Sequence, residues 1–187
     1  LALGNVTKDS DFDVLVGVRQ GRIFSTRFFC LLFFGFFGLA RTRLDHGKNA
    51  CDKICFNHFI TENAYALTPP YSESWKDLYI NLIPVYGSIE KINYFWETNS
   101  SWLCIRKKWN DDLRYIGNNN SWMKNCLEMI LYGVIGDVLE FILKYFQIKK
   151  IEHSLSITGL GYSPRVLYND NELEFHPDRK KFEEAKK

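Results

Sequence analysis

The sequence predicts an α/β (α+β) protein: a small sheet backed by helices, followed by a mainly helical region. Three observations carry that prediction. Two apolar runs of strand length stand at residues 12–18 and 53–60, with an apolar run of helix length between them. Beyond residue 68, apolar residues recur at helical spacing. A composition of 46% hydrophobic and 25% charged residues is that of a folded chain and not a disordered one. The length, 187 residues, suits one ordinary domain or a small α/β domain with a helical appendage.

The elements follow in order. A strand over 12–18 leads through a turn at Gly21 into a helix over 23–39, a polar loop over 41–49 and a second strand over 53–60. Thr68-Pro69-Pro70 then punctuates the chain, which divides it into 1–67 and 68–187. Ser74 is placed to cap a helix running to Ile83, where Pro84 ends it. A further helix covers 88–98, Asn99-Ser100-Ser101 closes it, and Trp102 returns to the core. Ser121 caps the longest periodic stretch, 122–149, which Gly133 and Gly136 either break or open to close helix packing. Residues 165–168 and 172–175, joined by Asn169-Asp170-Asn171, predict a short hairpin.

The run Phe28 to Ala40 (FFCLLFFGFFGLA) is intensely apolar but has 13 residues, against the roughly 20 that a membrane-spanning helix needs. With Arg22 and Arg27 before it and Arg41 and Arg43 after it, it is expected to be a buried helix, so no membrane partner is predicted. A net charge of +2 does not indicate nucleic acid as a partner, and Arg106-Lys107-Lys108 and Lys149-Lys150 read as solvated surface. An aromatic content of 16% favours a thick core and leaves room for an apolar partner surface, such as a homo-oligomer contact. Five scattered cysteines, Cys30, Cys51, Cys55, Cys104 and Cys126, read as reduced thiols of a cytoplasmic protein.

The chemistry is concentrated at Ser10-Asp11-Phe12-Asp13-Val14-Leu15-Val16. Residues i and i+2 of a strand share a face, so both carboxylates project together from an apolar segment. Their repulsion is commonly relieved by a divalent cation, Mg²⁺ (or Mn²⁺), shared with substrate phosphates. The competing reading is a polar turn ahead of a buried strand. Cys51, Cys55 and His58 suggest zinc, but in a regular strand Cys51 and Cys55 share a face that His58 does not, and no fourth ligand is nearby in sequence. His58 lies beside Asn57, on the opposite strand face in a regular strand. Gly159-Leu160-Gly161 lacks the context of a dinucleotide fingerprint and reads as a loop.

The stretch Leu1 to Val16 resembles the signature of the DNA polymerase β-like nucleotidyltransferase superfamily, in its minimal bacterial branch. Members carry Gly-Ser, a few residues, a Gly, a short turn, and then Ser-Asp-hydrophobic-Asp-hydrophobic. Gly4 and Ser10 match the nucleotide-binding part of that pattern, and Asp11 and Asp13 match its metal-binding, catalytic pair. The Gly-Ser pair would stand just before Leu1, so the chain is expected to be incomplete at its N-terminus. Three later pieces, Lys53 to Glu62, Gln147 with Lys150 and Ile151, and Leu173-Glu174-Phe175-His176-Pro177, are similar to a subgroup of bacterial nucleotidyltransferase-domain proteins.

The resemblance implies a small mixed sheet and transfer of a nucleoside monophosphate from an NTP to a hydroxyl acceptor. It also implies a third carboxylate on the neighbouring strand. Here that strand, 53–60, has none, and Asn57 stands where the polar side chain is expected. An amide oxygen ligates a cation but does not act as a general base. Asp52 is no substitute, since five strand residues span about 17 Å. The alternative expectation is therefore a catalytically impaired nucleotide-binding or regulatory module of the same fold.

Overall fold

The structure, a computed structural model, describes residues 11–41, 52–68, 73–103, 112–117, 122–157 and 165–176. Strand β1 (Phe12–Val18) is followed by helix α1 (Ile23–Phe36) and strand β2 (Ile54–Thr61). Helices α2 (Glu73–Ile80), α3 (Ile89–Thr98), α4 (Trp122–Ile130) and α5 (Val134–Ile157) come next, and strands β3 (Arg165–Tyr168) and β4 (Glu172–His176) close the order. The four strands form one mixed sheet in the order β1-β2-β4-β3. β1 and β2 run parallel across the α1 crossover, whereas β4 pairs antiparallel with both β2 and β3. The protein is thus an α+β fold with a small mixed sheet and a helical region.

The division of the chain differs from the expected break at 67/68. The described residues between Ala64 and Glu128 form one compact unit, and those of 8–63 and 129–187 form the other. The last 59 residues were expected in the helical region, but α5 and the hairpin belong with the sheet. The reason is the pairing of β4 along β2: His58, Phe59 and Ile60 face Glu174, Leu173 and Glu172. A strand from the far end of the chain completes the sheet, and sequence separation gives no sign of it.

One face of the sheet carries the core. The register lines up Val16, Phe59, Leu173 and Tyr168 in a row across all four strands. That row packs with Val18, Phe56 and Phe175 against Ile23, Phe24 and Cys30 of α1 and Leu143 and Ile148 of α5. Ile23, Phe24, Phe59 and Leu173 are fully buried. Burying a Leu, Ile or Phe side chain contributes about 1.5–3 kcal/mol each, so this cluster is the main cohesive element of the unit.

Polar contacts lock α1 to α5. The Glu140 carboxylate of α5 accepts from the backbone N–H of Phe24 and of Ser25, each at 2.8 Å, and from the Ser25 hydroxyl at 2.6 Å. Those are N–H groups that the first turn of a helix leaves without partners, so Glu140 caps α1 from another helix. Gln147 donates to the Phe24 carbonyl and accepts from Arg27, both at 2.7 Å. The long apolar run breaks at Gly133, whose φ of 88° suits glycine, and α5 continues to Ile157. Gly136 serves close approach: a Cβ there would lie 1.8 Å from the Leu131 carbonyl oxygen. Arg22 ties the same corner, donating to that carbonyl at 2.7 Å and pairing with Asp137 at 2.7 Å.

The expectation that 28–40 is a buried helix requires correction. Only Ile23, Phe24 and Ser25 of α1 are buried, whereas Phe29, Leu32, Phe33 and Phe36 are exposed, Phe36 to 84%. A helix that is apolar all round but covered on one side leaves the other side bare. Among the described residues no helix is long and apolar enough to cross a membrane.

In the other unit, Ser88 caps α3 by accepting from the Lys91 N–H. Asn99, expected only as a helix end, is buried. It donates to the Phe95 carbonyl at 2.8 Å and accepts from the Leu67 N–H at 3.0 Å. The residue that returns to the core is Leu103, 2% exposed, with Trp102 before it against the Tyr79 ring.

Candidate functional site

The face of the sheet opposite the core row carries the charged chemistry, and it begins with the acidic pair. Asp11 stands immediately before β1 and Asp13 lies within it. The Phe12 N–H between them donates to the Lys53 carbonyl at 2.8 Å, which fixes this segment against the start of β2. Cys55 is the register partner of Asp13. One ligand atom each from Asp11, Asp13 and Cys55 lie within 4.8 Å of one another.

Arg41 enters from the chain that follows α1. Ala40 bridges to Ile54, and the Arg41 N–H donates to the Ile54 carbonyl at 2.9 Å. This brings the Arg41 guanidinium onto Asp11 Oδ2, where it forms an ion pair. Asn57 donates its Nδ2 to Asp13 Oδ1 at 2.8 Å. The residue expected at the place of a third carboxylate is therefore next to the acidic pair, but as a hydrogen-bond donor.

A bulge in β2 explains how Asn57 arrives there. The pairing runs from Asp13 with Cys55 to Leu15 with His58, so β2 carries one residue more than β1 over this stretch. Phe56 and Phe59, three apart, both pack on the core side, with rings 6.2 Å apart. The two residues between them turn to the other face together. The expectation that His58 lies opposite Asn57 holds for a regular strand, and the bulge overturns it.

His58 leads into a second polar cluster. Its Nε2 lies 3.0 Å from Glu172 Oε1, and its ring stands edge-on to His176 at 6.0 Å. Glu174, the cross-strand partner of His58, is 2% exposed. It is held by His176 Nδ1 at 2.6 Å on Oε1 and by Arg165 Nε at 2.8 Å on Oε2.

The electrostatics differ between the two clusters. Asp13 keeps solvent-exposed surface, yet the protein atoms crowding its carboxylate and the charge of Asp11 raise its pKa, against the opposing pull of His176 and Arg41. Burial and the two carboxylates push the Cys55 thiol up to about 12, so it is protonated at neutral pH unless a metal displaces the proton. Burial works to raise the Glu174 pKa, but His176, His58 and Arg165 outweigh it and hold the carboxyl below its ordinary value.

Two carboxylates and the Cys55 thiol, which hydrogen-bonds to Asp13, could hold a metal ion. Asp11 and Asp13 each keep one carboxylate oxygen that neither Arg41 nor Asn57 occupies. Gly4 and Ser10 lie outside the described residues, as does Cys51. Asp52 has left-handed backbone, φ 57°, ahead of β2. Sequence reasoning missed Arg41, read only as a flank of the apolar run, and it missed Glu172, Glu174, His176 and Arg165 as site residues. A signal for β4 was present: in Glu172-Leu173-Glu174-Phe175-His176 strict alternation puts the three polar residues on one face. Comparison of the chain with protein-family models, with curated proteins and with solved structures found no match.

Proposed function

We propose that this chain is a metal-dependent nucleotidyltransferase that moves a nucleoside monophosphate from an NTP to a hydroxyl acceptor. The observation that carries the reading is the meeting of Asp11 and Asp13 with Asn57 of the adjacent parallel strand. The strand, helix, strand order and the resemblance of residues 1–16 to the polymerase β-like signature support it. Asp11 and Asp13 hold Mg²⁺ (or Mn²⁺) with the nucleotide phosphates. A cation bound there supplies charge neutralisation at the phosphates and orients the displacement. Arg41 fixes the orientation of Asp11, and Asn57 fixes that of Asp13. The resemblance assigns Gly4 and Ser10 to the nucleotide phosphates. The chain is read as cytoplasmic, with no acceptor indicated by its charge.

One observation favours a second reading. Asn57 adds no negative charge and accepts no proton in this position, so the same residues suit a nucleotide-binding or regulatory module without turnover.

Two measurements test both. Calorimetric titration of Mg²⁺ with each NTP is expected to show binding that Asp11→Asn with Asp13→Asn abolishes; equal affinity in the double variant overturns the site. Transfer of label from an α-labelled NTP to hydroxyl acceptors, dependent on Mg²⁺ and on both aspartates, supports the enzyme. Metal-dependent binding without transfer supports the module.

A further inference from the structure

We propose that His58, Glu172 and Glu174 form a second divalent-cation site, for a first-row transition ion of the zinc type, separate from the Asp11 and Asp13 pair. One ligand atom from each of the three lies within 4.8 Å of the others. His58 Nε2 and Glu172 Oε1 are 3.0 Å apart. Bonds of about 2.0–2.2 Å from zinc to His nitrogen and carboxylate oxygen set neighbouring ligand atoms a little over 3 Å apart, so closure on an ion needs only small side-chain shifts. An imidazole with two carboxylates selects zinc-like ions over Mg²⁺, which takes oxygen ligands and keeps its waters.

The backbone builds this arrangement. His58 and Glu174 are directly paired across β2 and β4, and Glu172 is two residues from Glu174, on the same strand face. The bulge that turns Asn57 and His58 together is what brings the imidazole to that face. Around the ligands stands a supporting set. Arg165 occupies Glu174 Oε2, and His176 Nδ1 bonds Oε1, which retains a further lone pair. His58 and Glu174 side chains are 4% and 2% exposed, and Glu172, at 14%, marks the side from which an ion enters. Glu174 is held by Arg165 and His176, and Glu172 by His58; a bound dication would replace the His58 contact to Glu172 and bridge the two carboxylates.

The site does not depend on the nucleotidyl reading, and the test separates them. Co²⁺ and Zn²⁺ are titrated into the full chain in the presence of excess Mg²⁺, with visible absorption and a competing chelator as readouts. The expected result is one Co²⁺ with a d–d spectrum and no thiolate charge-transfer band. It is retained in Asp11→Asn with Asp13→Asn and in Cys55→Ser. Glu172→Gln and His58→Gln are expected to weaken Zn²⁺ by more than about 100-fold, beyond the 10–100-fold typical of losing an outer partner. Far-UV circular dichroism checks that these variants fold. Absence of Co²⁺ uptake by the unmodified protein overturns the proposal. So does a charge-transfer band that Cys55→Ser removes, or affinity unchanged in folded Glu172→Gln.

Discussion

Replacing Asn57 by Asp puts a carboxylate where an amide now donates to Asp13 at 2.8 Å. Two costs follow in the metal-free protein. A hydrogen bond to a charged acceptor, worth about 1.5–3 kcal/mol, is lost. Two like charges in contact also repel, by about 1 kcal/mol in bulk water and about 4 kcal/mol at a protein-like screening. Asn57 is buried and the Asp13 carboxylate is crowded by protein, so the repulsion lies between these limits, and the sum is about 3–7 kcal/mol. For a chain of this size that lowers the melting temperature by roughly 5–25 °C.

Added Mg²⁺ is expected to reverse the loss, because a third carboxylate at the pair is repelled without a cation and attracted with one. Asn57→Asp therefore melts lower than the unmodified protein in chelator and gains more from millimolar Mg²⁺. In the same variant nucleotidyl transfer is expected to rise, with general-base assistance typically worth about 10²–10⁴ in rate. The assays are thermal unfolding with and without Mg²⁺ and transfer of an α-label. If Asn57→Asp melts like the unmodified protein in chelator and ignores Mg²⁺, the proximity argument fails. If stability behaves as expected while transfer does not rise, Asn57 is not the stand-in for the missing carboxylate.

Three further outcomes follow from the packing. Gly136→Ala drives a methyl into the Leu131 carbonyl and the Arg22 guanidinium, and is expected to destabilise by about 1–3 kcal/mol in urea unfolding; a neutral result contradicts the close approach. Glu140→Ala removes the carboxylate that caps α1 and is expected to cost about 1–2 kcal/mol, whereas Asp137→Ala, at an exposed ion pair, costs less than about 1. The folded-state pKa of Glu174 lies below its reference of 4.5. Its charge thus stabilises the fold above pH about 4.5, and that contribution is lost as pH falls through the lowered value. Glu174→Gln should then lower the urea midpoint at pH 7 and approach the unmodified protein only as the pH falls through the lowered pKa of Glu174; a gap that widens on acidification reverses the sign.

The parts of this molecule that its sequence discloses are those set by local pattern. β1 is found as expected because its apolar run is bounded by turn residues, and Ser88 caps α3 through an oxygen within three residues of its partner. The burial of α1 was misjudged because an all-round apolar helix does not indicate which side is covered. The site divides in the same way. Asp11 and Asp13 are visible as a pair, since two-residue spacing in a strand is a local fact. Their partners are not visible, because Arg41 comes from beyond a helix and β4 comes from the other end of the chain.

The extra residue in β2 is the step on which the rest turns. A strand with strict alternation would send Asn57 and His58 to opposite faces, and only one of them could share a face with Asp13. Phe56 and Phe59 both favour burial, and the sheet satisfies both by bulging between them, at the cost of one regular pairing. Core packing on one face thereby sets the chemistry on the other. Asn57 is delivered to Asp13, and His58 is delivered to Glu172 and Glu174. Removing one residue from the stretch between Phe56 and Phe59 takes away the partner of Asp13 or the partner of Glu172, and the regular pairing it restores leaves a single residue where two now serve the two polar clusters.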